Sequence, residues 1–383
     1  MSGGNHIIFR HTLALCLAVG LLAPAVAAEE PGFTTGIAAA NVAWAKAPAI
    51  AETMTGIAAA GFESVRIGFK NPVAGTFRAL DAAKAEGLEV LVTIPLIDGA
   101  VSAKGAEPRP RDRHFFPAYG LSQIDLARYD ARLRQLLDRI ADKDLPVIGL
   151  EIGNELNWSG YNGDLPVRPG GAFIADAAAW PVDERAAFEA GIDKYAAVIE
   201  RTRAALQENP RFGNIKLVSA GLADINANFI HRVGASYIDP ALVHDAFAAR
   251  GLFGQVDAIG IHLYEPLRNA ADVGDRPRMI ATQLTDCGRA DFAERPCWIT
   301  EYGAALPEKD CAADDSRRIA LMKPLLDHLA LAENARRVPI GFYYDWNEDA
   351  GFSLLRCGRP TELTRELPRA GDAPQDNKGG TIQ

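Results

Sequence analysis

The 383-residue sequence predicts an α/β chain folded as a single-domain (β/α)8 barrel, and three observations carry that reading. Eight short apolar runs rich in β-branched residues recur along it. Segments with helical period lie between them, and no linker interrupts the middle of the chain. A strand repeatedly followed by a helix buries its apolar side chains as a parallel sheet covered by helices, and eight such units close the sheet on itself.

In order, the runs are residues 33–39, 64–69, 89–95, 147–153, 215–220, 256–262, 297–301 and 338–344. The first is FTTGIAA; the second pairs Val65 with Ile67, and the third reads EVLVTIP. VIGLEIG, IKLVSA, VDAIGIH, CWITE and VPIGFYY follow. Between the third and fourth, Leu126, Tyr129, Leu133, Leu136, Leu137 and Ile140 fall on one helical face, and Phe188, Ile192, Tyr195 and Ile199 do the same after the fourth. Two insertions, 97–122 and 157–181, follow the third and fourth runs on the rim where strand ends converge. Connections of that length in a compact domain are functional or disordered. The second carries Trp158, Tyr161, Asn162, Asp164 and Trp180, side chains that either stack on sugar rings and bond their hydroxyls or simply pack the loop itself.

Residues 1–27 read as a secretory signal peptide. Arg10 and His11 precede the apolar stretch 12–22, and Ala25-Val26-Ala27 is the small-x-small pattern of a cleavage site. No later window holds an apolar stretch long enough to span a bilayer, so the mature chain is expected to be exported, periplasmic or secreted. The barrel domain is assigned to 28–366, and 367–383, poor in large apolar groups, to a flexible tail. The net charge of −9 argues against a nucleic-acid partner, since phosphate binding needs clustered Lys and Arg. Once Cys16 leaves with the signal peptide, four cysteines remain, an even number that in an exported chain favours disulfides. The strand order places Cys287 and Cys297 at the bottom rim and Cys311 and Cys357 at the top, which predicts the pairs Cys287–Cys297 and Cys311–Cys357.

Glu155 stands two residues past the fourth run and Glu301 closes the seventh, three strand–helix units apart. Parallel strands deliver their carboxyl ends to one rim, so the two carboxyl groups are expected to face one cleft. A pair of carboxyl groups in that arrangement can protonate a glycosidic oxygen and stabilise the oxocarbenium-like carbon it leaves behind. Glu151, two residues earlier on the same strand, is read as structural.

Several motifs then converge: Gly153-Asn154-Glu155, His262-Leu263-Tyr264, Thr300-Glu301-Tyr302-Gly303 and Asp345-Trp346. In this order and at these strand ends they resemble the clan A glycoside hydrolases, retaining β-glycosidases on a (β/α)8 barrel. The resemblance implies Glu155 as acid/base, Glu301 as nucleophile and Asn154 as a hydrogen-bond partner of the sugar 2-hydroxyl. It also implies Tyr264 as a donor to Glu301, His262 on the same wall, Trp346 as the floor under the sugar, and Arg66 beneath the nucleophile. Tyr302 and Trp158 are supporting candidates. The chain departs from the group where Leu156 and Asn157 follow the acid/base glutamate, a place where many members have proline.

The function expected is an exported retaining β-glycosidase acting on a polysaccharide or oligosaccharide, working as a monomer without cofactor or metal. A non-catalytic carbohydrate-binding barrel is the alternative. A metal-dependent hydrolase on this fold needs a histidine cluster at strand ends, and the first run contains no histidine.

Overall fold

Every predicted run contains or overlaps a strand. The computed structural model describes Met1 and residues 32–223, 225, 227–264, 284–305, 315–348 and 351–372. The barrel strands are β1 (Thr34–Ala38), β2 (Ser64–Gly68), β3 (Glu89–Ile94), β4 (Val147–Ile152), β5 (Lys216–Ser219), β6 (Ile259–Tyr264), β7 (Cys297–Gly303) and β8 (Ile340–Tyr344). All pairings between them are parallel, in the order β5-β4-β3-β2-β1-β8-β7-β6. The first strand pairs with the last, Thr34 opposite Ile340 through Ala38 opposite Tyr344. The remaining gap is closed by parallel bridges from Val218 to Ala258 and from Leu222 to Ile261. Strand β6 begins and ends later than the run 256–262, and β7 runs two residues past Glu301.

Side chains alternate across each strand and so divide the core in two. Ala38, Leu91, Val218, Ala258, Trp298 and Phe342 fill the barrel interior. The opposite faces meet the surrounding helices, among them α1 (Ala47–Ala59), α2 (Val73–Ala85), α3 (Leu126–Lys143) and α4 (Val182–Gln207). Helix α3 shows why the periodic face was readable. Asp125 caps its start by accepting from the backbone N–H of Ala127 at 2.9 Å and Arg128 at 3.2 Å, and Leu133, Leu136, Leu137 and Ile140 are buried. Each such side chain contributes about 1.5–3 kcal/mol on leaving water.

Strand β7 carries an irregularity that decides where the chemistry sits. Gly341 is opposite Ile299 and Tyr343 opposite Tyr302, so three steps on β7 match two on β8. On the other side Ile261 is opposite Ile299 while His262 is opposite Glu301. This is a β-bulge around Thr300. Trp298 points into the barrel; strict alternation would turn Glu301 outward, and the extra residue turns it back inward.

The predicted Cys287–Cys297 disulfide is present. In the other predicted pair, Cys311 lies outside the described residues, as do residues 2–31, which hold the expected leader. Residues 367–372, assigned above to a flexible tail, are packed. Leu367 is buried, the Pro368 carbonyl accepts from Thr35 N–H at 3.1 Å, and the Arg369 guanidinium lies 3.7 Å from the Phe62 ring centroid. A segment poor in apolar side chains docks here through Leu367, its backbone, and an Arg369 guanidinium that packs on Phe62 and donates to Ala60 O at 3.4 Å, so 367–372 belong to the body and 373–383 lie outside the described residues. Among the described residues no helix is long and apolar enough to cross a membrane.

Candidate active site

The turn after β4 presents the first carboxylate. Gly153 has φ +87° and Glu155 φ +48°, the left-handed region that costs a side-chain-bearing residue about 1–2 kcal/mol. Long-range backbone bonds hold the turn there: Gly153 N–H donates to Ile94 O at 2.9 Å and Glu155 N–H to Gly221 O at 2.7 Å. The Glu155 side chain is fixed from both ends. Its Oε1 meets His262 Nδ1 at 3.0 Å, and its Oε2 accepts from Trp158 Nε1 at 2.8 Å.

Glu301 is held from below and from the side. Arg66 Nη1 donates to its Oε1 at 2.6 Å, and the Tyr264 hydroxyl donates to its Oε2. His262 Nδ1 stands 3.8 Å from that same Oε2. One carboxylate oxygen of Glu155, one of Glu301 and a ring nitrogen of His262 all lie within 4.8 Å of one another. The remaining donors of Arg66 reach Glu151 Oε2 from Nε at 2.6 Å and Asn154 Oδ1 from Nη2 at 2.7 Å. Because arginine only donates, the Asn154 atom facing it is the oxygen, and the amide NH2 is left to donate elsewhere. Glu151 is fully buried and also accepts from Thr93 Oγ1 at 2.6 Å and Gly221 N–H at 3.2 Å. It is the standing counter-charge of Arg66.

Burial pushes the Glu301 carboxyl up, but the charges of His262 and Arg66 and the hydrogen bonds from Tyr264 and Arg66 outweigh it, holding the group below its ordinary value. Burial lowers the His262 imidazolium, and the Glu301 charge with the Glu155 hydrogen bond reverses this, so its pKa is raised. Tyr264 is kept protonated by burial and by the adjacent negative charge. The arrangement is a network in which cationic donors offset three buried carboxyl groups.

The structure brings Glu155, Glu301, Asn154, His262, Tyr264, Arg66 and Trp158 together on one rim. Two other expected residues are elsewhere. Trp346, 1% exposed, lies against Gly56 of α1 and edge-on to Phe62. It is not the floor of the cleft, because β8 ends at Tyr344 and strand alternation no longer governs a residue two positions on. Tyr302, next to Glu301, takes the opposite face of β7. It packs against Phe33 and Tyr343, and its hydroxyl meets Thr35 Oγ1 at 2.7 Å. Of the rim-loop residues, Tyr161 lies beside Trp158 and near enough to Glu155 and Glu301 for their charges to add to burial in raising its pKa. Asp164 accepts from Ser122 N–H at 2.9 Å, Asn162 donates to Leu156 O at 3.1 Å, and Trp180 packs on Phe188. These three serve loop packing.

Three features escaped sequence reasoning. Tyr344 shares the inward parity of Phe342 and contacts Tyr264 at a 6.2 Å centroid separation; counting alternation along VPIGFYY would have found it. Gly221 leaves room for His262: a Cβ there would come within 2.3 Å of its ring and 2.5 Å of Thr300 Oγ1. Glu348, bonded to Asn41 N–H at 2.9 Å and Nδ2 at 3.0 Å, is pushed up to about 7, chiefly by burial and also by the Glu301 charge.

Two carboxylates and an imidazole this close also have the donor set of a divalent cation site. Here each ligand atom is already engaged: Glu301 by Arg66 and Tyr264, Glu155 by His262 and Trp158. A guanidinium fixed 2.6 Å from one of those oxygens opposes a second cation in the same shell. The trio fits proton chemistry better than metal binding.

No protein-family model matches the chain, and no curated protein sequence matches it. Solved structures do resemble it. The β-galactosidase of the psychrophilic Marinomonas ef1 aligns with TM-score 0.53 at 14% identity, over 87% of this chain and 58% of that one. A family 30 subfamily 8 xylanase from Clostridium acetobutylicum gives TM-score 0.49 at 16% identity, over 88% and 71%. An exo-β-1,4-mannosidase from an Opitutaceae bacterium gives 0.49 at 14%, over 87% and 58%. The chain thus spans little more than half the length of the first and third. The likeness to the galactosidase shows a shared (β/α)8 barrel fold.

Proposed function

We propose that the chain is an exported retaining β-glycoside hydrolase that cleaves a β-linked polysaccharide or oligosaccharide by double displacement. The observation that carries this reading is the approach of Glu155 and Glu301, oxygen to oxygen within 4.8 Å. Retaining enzymes separate their two carboxyl groups by about 5–5.5 Å, and inverting ones leave about 6.5–9.5 Å for a water. The spacing favours direct attack.

In the first step Glu301 Oε attacks the anomeric carbon while the Glu155 proton passes to the glycosidic oxygen, so the leaving sugar departs neutral and a glycosyl ester forms on Glu301. In the second, Glu155 takes a proton from water, the resulting hydroxide equivalent attacks the same carbon, and Glu301 is released as carboxylate. A nucleophile that must stay ionised suits the low pKa of Glu301. The 3.0 Å contact between His262 Nδ1 and Glu155 Oε1 offers one proton two resting places, which suits a group that must be acid and then base. The Asn154 amide NH2 is available to a sugar hydroxyl beside the reaction centre. Export is supported by the N-terminal pattern and by the Cys287–Cys297 bond.

The test is hydrolysis of aryl β-glycosides and β-glycans by purified protein and two variants. Glu301→Ala abolishes turnover. Glu155→Ala slows substrates with poor leaving groups by roughly a hundredfold to ten-thousandfold and activated aryl glycosides far less. A 2-fluoro sugar leaves its mass on Glu301. Unchanged hydrolysis by both variants, or an adduct on another residue, overturns the assignment.

A further inference from the structure

Beside the acid/base glutamate opens a second cavity that the cleavage chemistry does not use. It has a volume of about 450 Å³ and is lined by Arg113, His114, Phe115, Trp158, Phe229 and Arg232 among others. Trp158 is the shared wall: one edge donates to Glu155 Oε2 at 2.8 Å, and its ring stands 5.8 Å from Phe115 and 6.3 Å from Phe229, centroid to centroid. The volume is in the range of small-ligand sites.

The lining has a charge opposite to that of the molecule. The chain carries a net −9, yet among the described residues no carboxylate lines this cavity and two arginines and a histidine do. Asp112, the acidic neighbour, has its carboxylate oxygen taken by the backbone N–H groups of His114 at 2.7 Å and Phe115 at 2.8 Å. Neither Arg113 nor Arg232 has a carboxylate partner among the described residues. Arg232 lies with its guanidinium carbon 5.2 Å from the Phe229 ring centroid, a contact that leaves its N–H donors available. Unpaired arginines around an apolar, partly enclosed space are suited to a planar anion. Aromatic walls suit the faces of a pyranose ring.

We propose that this cavity is a leaving-group subsite selecting an acidic sugar, so that the substrate is a β-linked glycan carrying a uronate on the leaving side. The position rests on the hydrolase reading, because the group that protonates the glycosidic oxygen stands on the side from which the sugar departs. Trp158 would then both hold Glu155 and bear on the departing ring, with Arg113 and Arg232 taking its carboxylate.

Binding tests this apart from catalysis. Isothermal titration of the intact protein with β-linked oligouronates, each matched to its carboxyl-reduced neutral counterpart, compares the same backbone with and without charge. The acidic member of at least one pair binds about tenfold tighter or more. That preference collapses in the Arg113→Gln/Arg232→Gln double variant and shrinks as salt rises. The double variant keeps the Tm of the unaltered protein, so the lost preference is one of binding and not of folding. Equal binding of acidic and neutral members, no binding of any oligouronate, or a preference that survives the double substitution overturns the subsite. Failure of the unaltered protein to hydrolyse any glycoside overturns the hydrolase reading instead and leaves the binding result to stand or fall separately.

Discussion

Arg66 lies beneath Glu301 with its Nη1 2.6 Å from the carboxylate, while its Nε holds Glu151 at the same distance. One cation thus serves the carboxylate proposed to react and a second, wholly buried one. Because Glu151 has 0% exposure, it would keep the guanidinium in place if Glu301 were consumed as an ester in the proposed mechanism, and the site would need no reorganisation between the two steps.

Removing that cation is expected to act on both stability and chemistry. Arg66→Gln leaves buried carboxylates without their partner, a change worth about 3–5 kcal/mol, read as a fall in Tm. It also removes one cause of the low Glu301 pKa. The carboxyl then titrates higher, and the acid limb of kcat/KM against pH moves to higher pH. The stability that an acid with a depressed pKa supplies is present above its unfolded value and lost as pH falls through the folded one; in the variant this contribution shrinks. An unmoved acid limb counts against the role given to Arg66.

Gly221→Ala places a methyl group where the His262 ring stands. The ring is displaced, its bond to Glu155 is lost, and kcat falls by roughly tenfold to a hundredfold with KM little changed. Steady-state kinetics on an aryl glycoside check this, and Gly221→Ser gives the same outcome if space is the reason.

Glu348 should register in stability against pH. Its raised folded pKa of about 7 means that its contribution is complete below the unfolded carboxyl range and is lost as pH rises through 7. Glu348→Gln removes that slope. Thermal unfolding of both forms between pH 5 and 8 separates them; parallel curves refute the assignment.

Trp346→Phe is a packing change, not a substrate change. With Gly56 and Phe62 against the indole, the smaller ring leaves a void and lowers stability by about 1–3 kcal/mol, while KM for a glycoside is unaltered. A large rise in KM at unchanged Tm would return Trp346 to the cleft.

Chelation leaves activity intact. Dialysis against EDTA followed by assay gives the original rate, because the acceptor oxygens of Glu155 and Glu301 already take protein hydrogen bonds. Loss of activity that zinc or another divalent ion restores would favour the metal reading.

Most of this site could be read from the chain because a barrel gathers its strand ends whatever lies between them. Glu155, Asn154, Arg66, His262 and Tyr264 all sit at or just past such ends, so placing the strands placed them together. Trp346 and Tyr302 could not be read the same way. The first lies beyond its strand, where no periodicity applies, and the second depends on which face of β7 it occupies. That face depends in turn on the bulge around Thr300, which leaves no mark in CWITEYG. The docked stretch 367–372 escaped for another reason: apart from buried Leu367, it is held by a backbone bond and by the Arg369 guanidinium, which packs on Phe62 and donates to backbone carbonyls, none of which raises apolar content. Loop residues divided for a third: Asn162 and Asp164 satisfy nearby loop groups, while Trp158, three residues beyond Glu155, reaches its carboxylate.

The bulge in β7 also separates the fold from its use. Shortening this strand by a single residue would swing the Glu301 carboxylate into the layer between sheet and helices. The same deletion would part Glu301 from Arg66, whose Nη1 is 2.6 Å away, and bury an unpaired carboxylate among apolar side chains, so barrels of this kind need to be judged by register as well as by the presence of two glutamates.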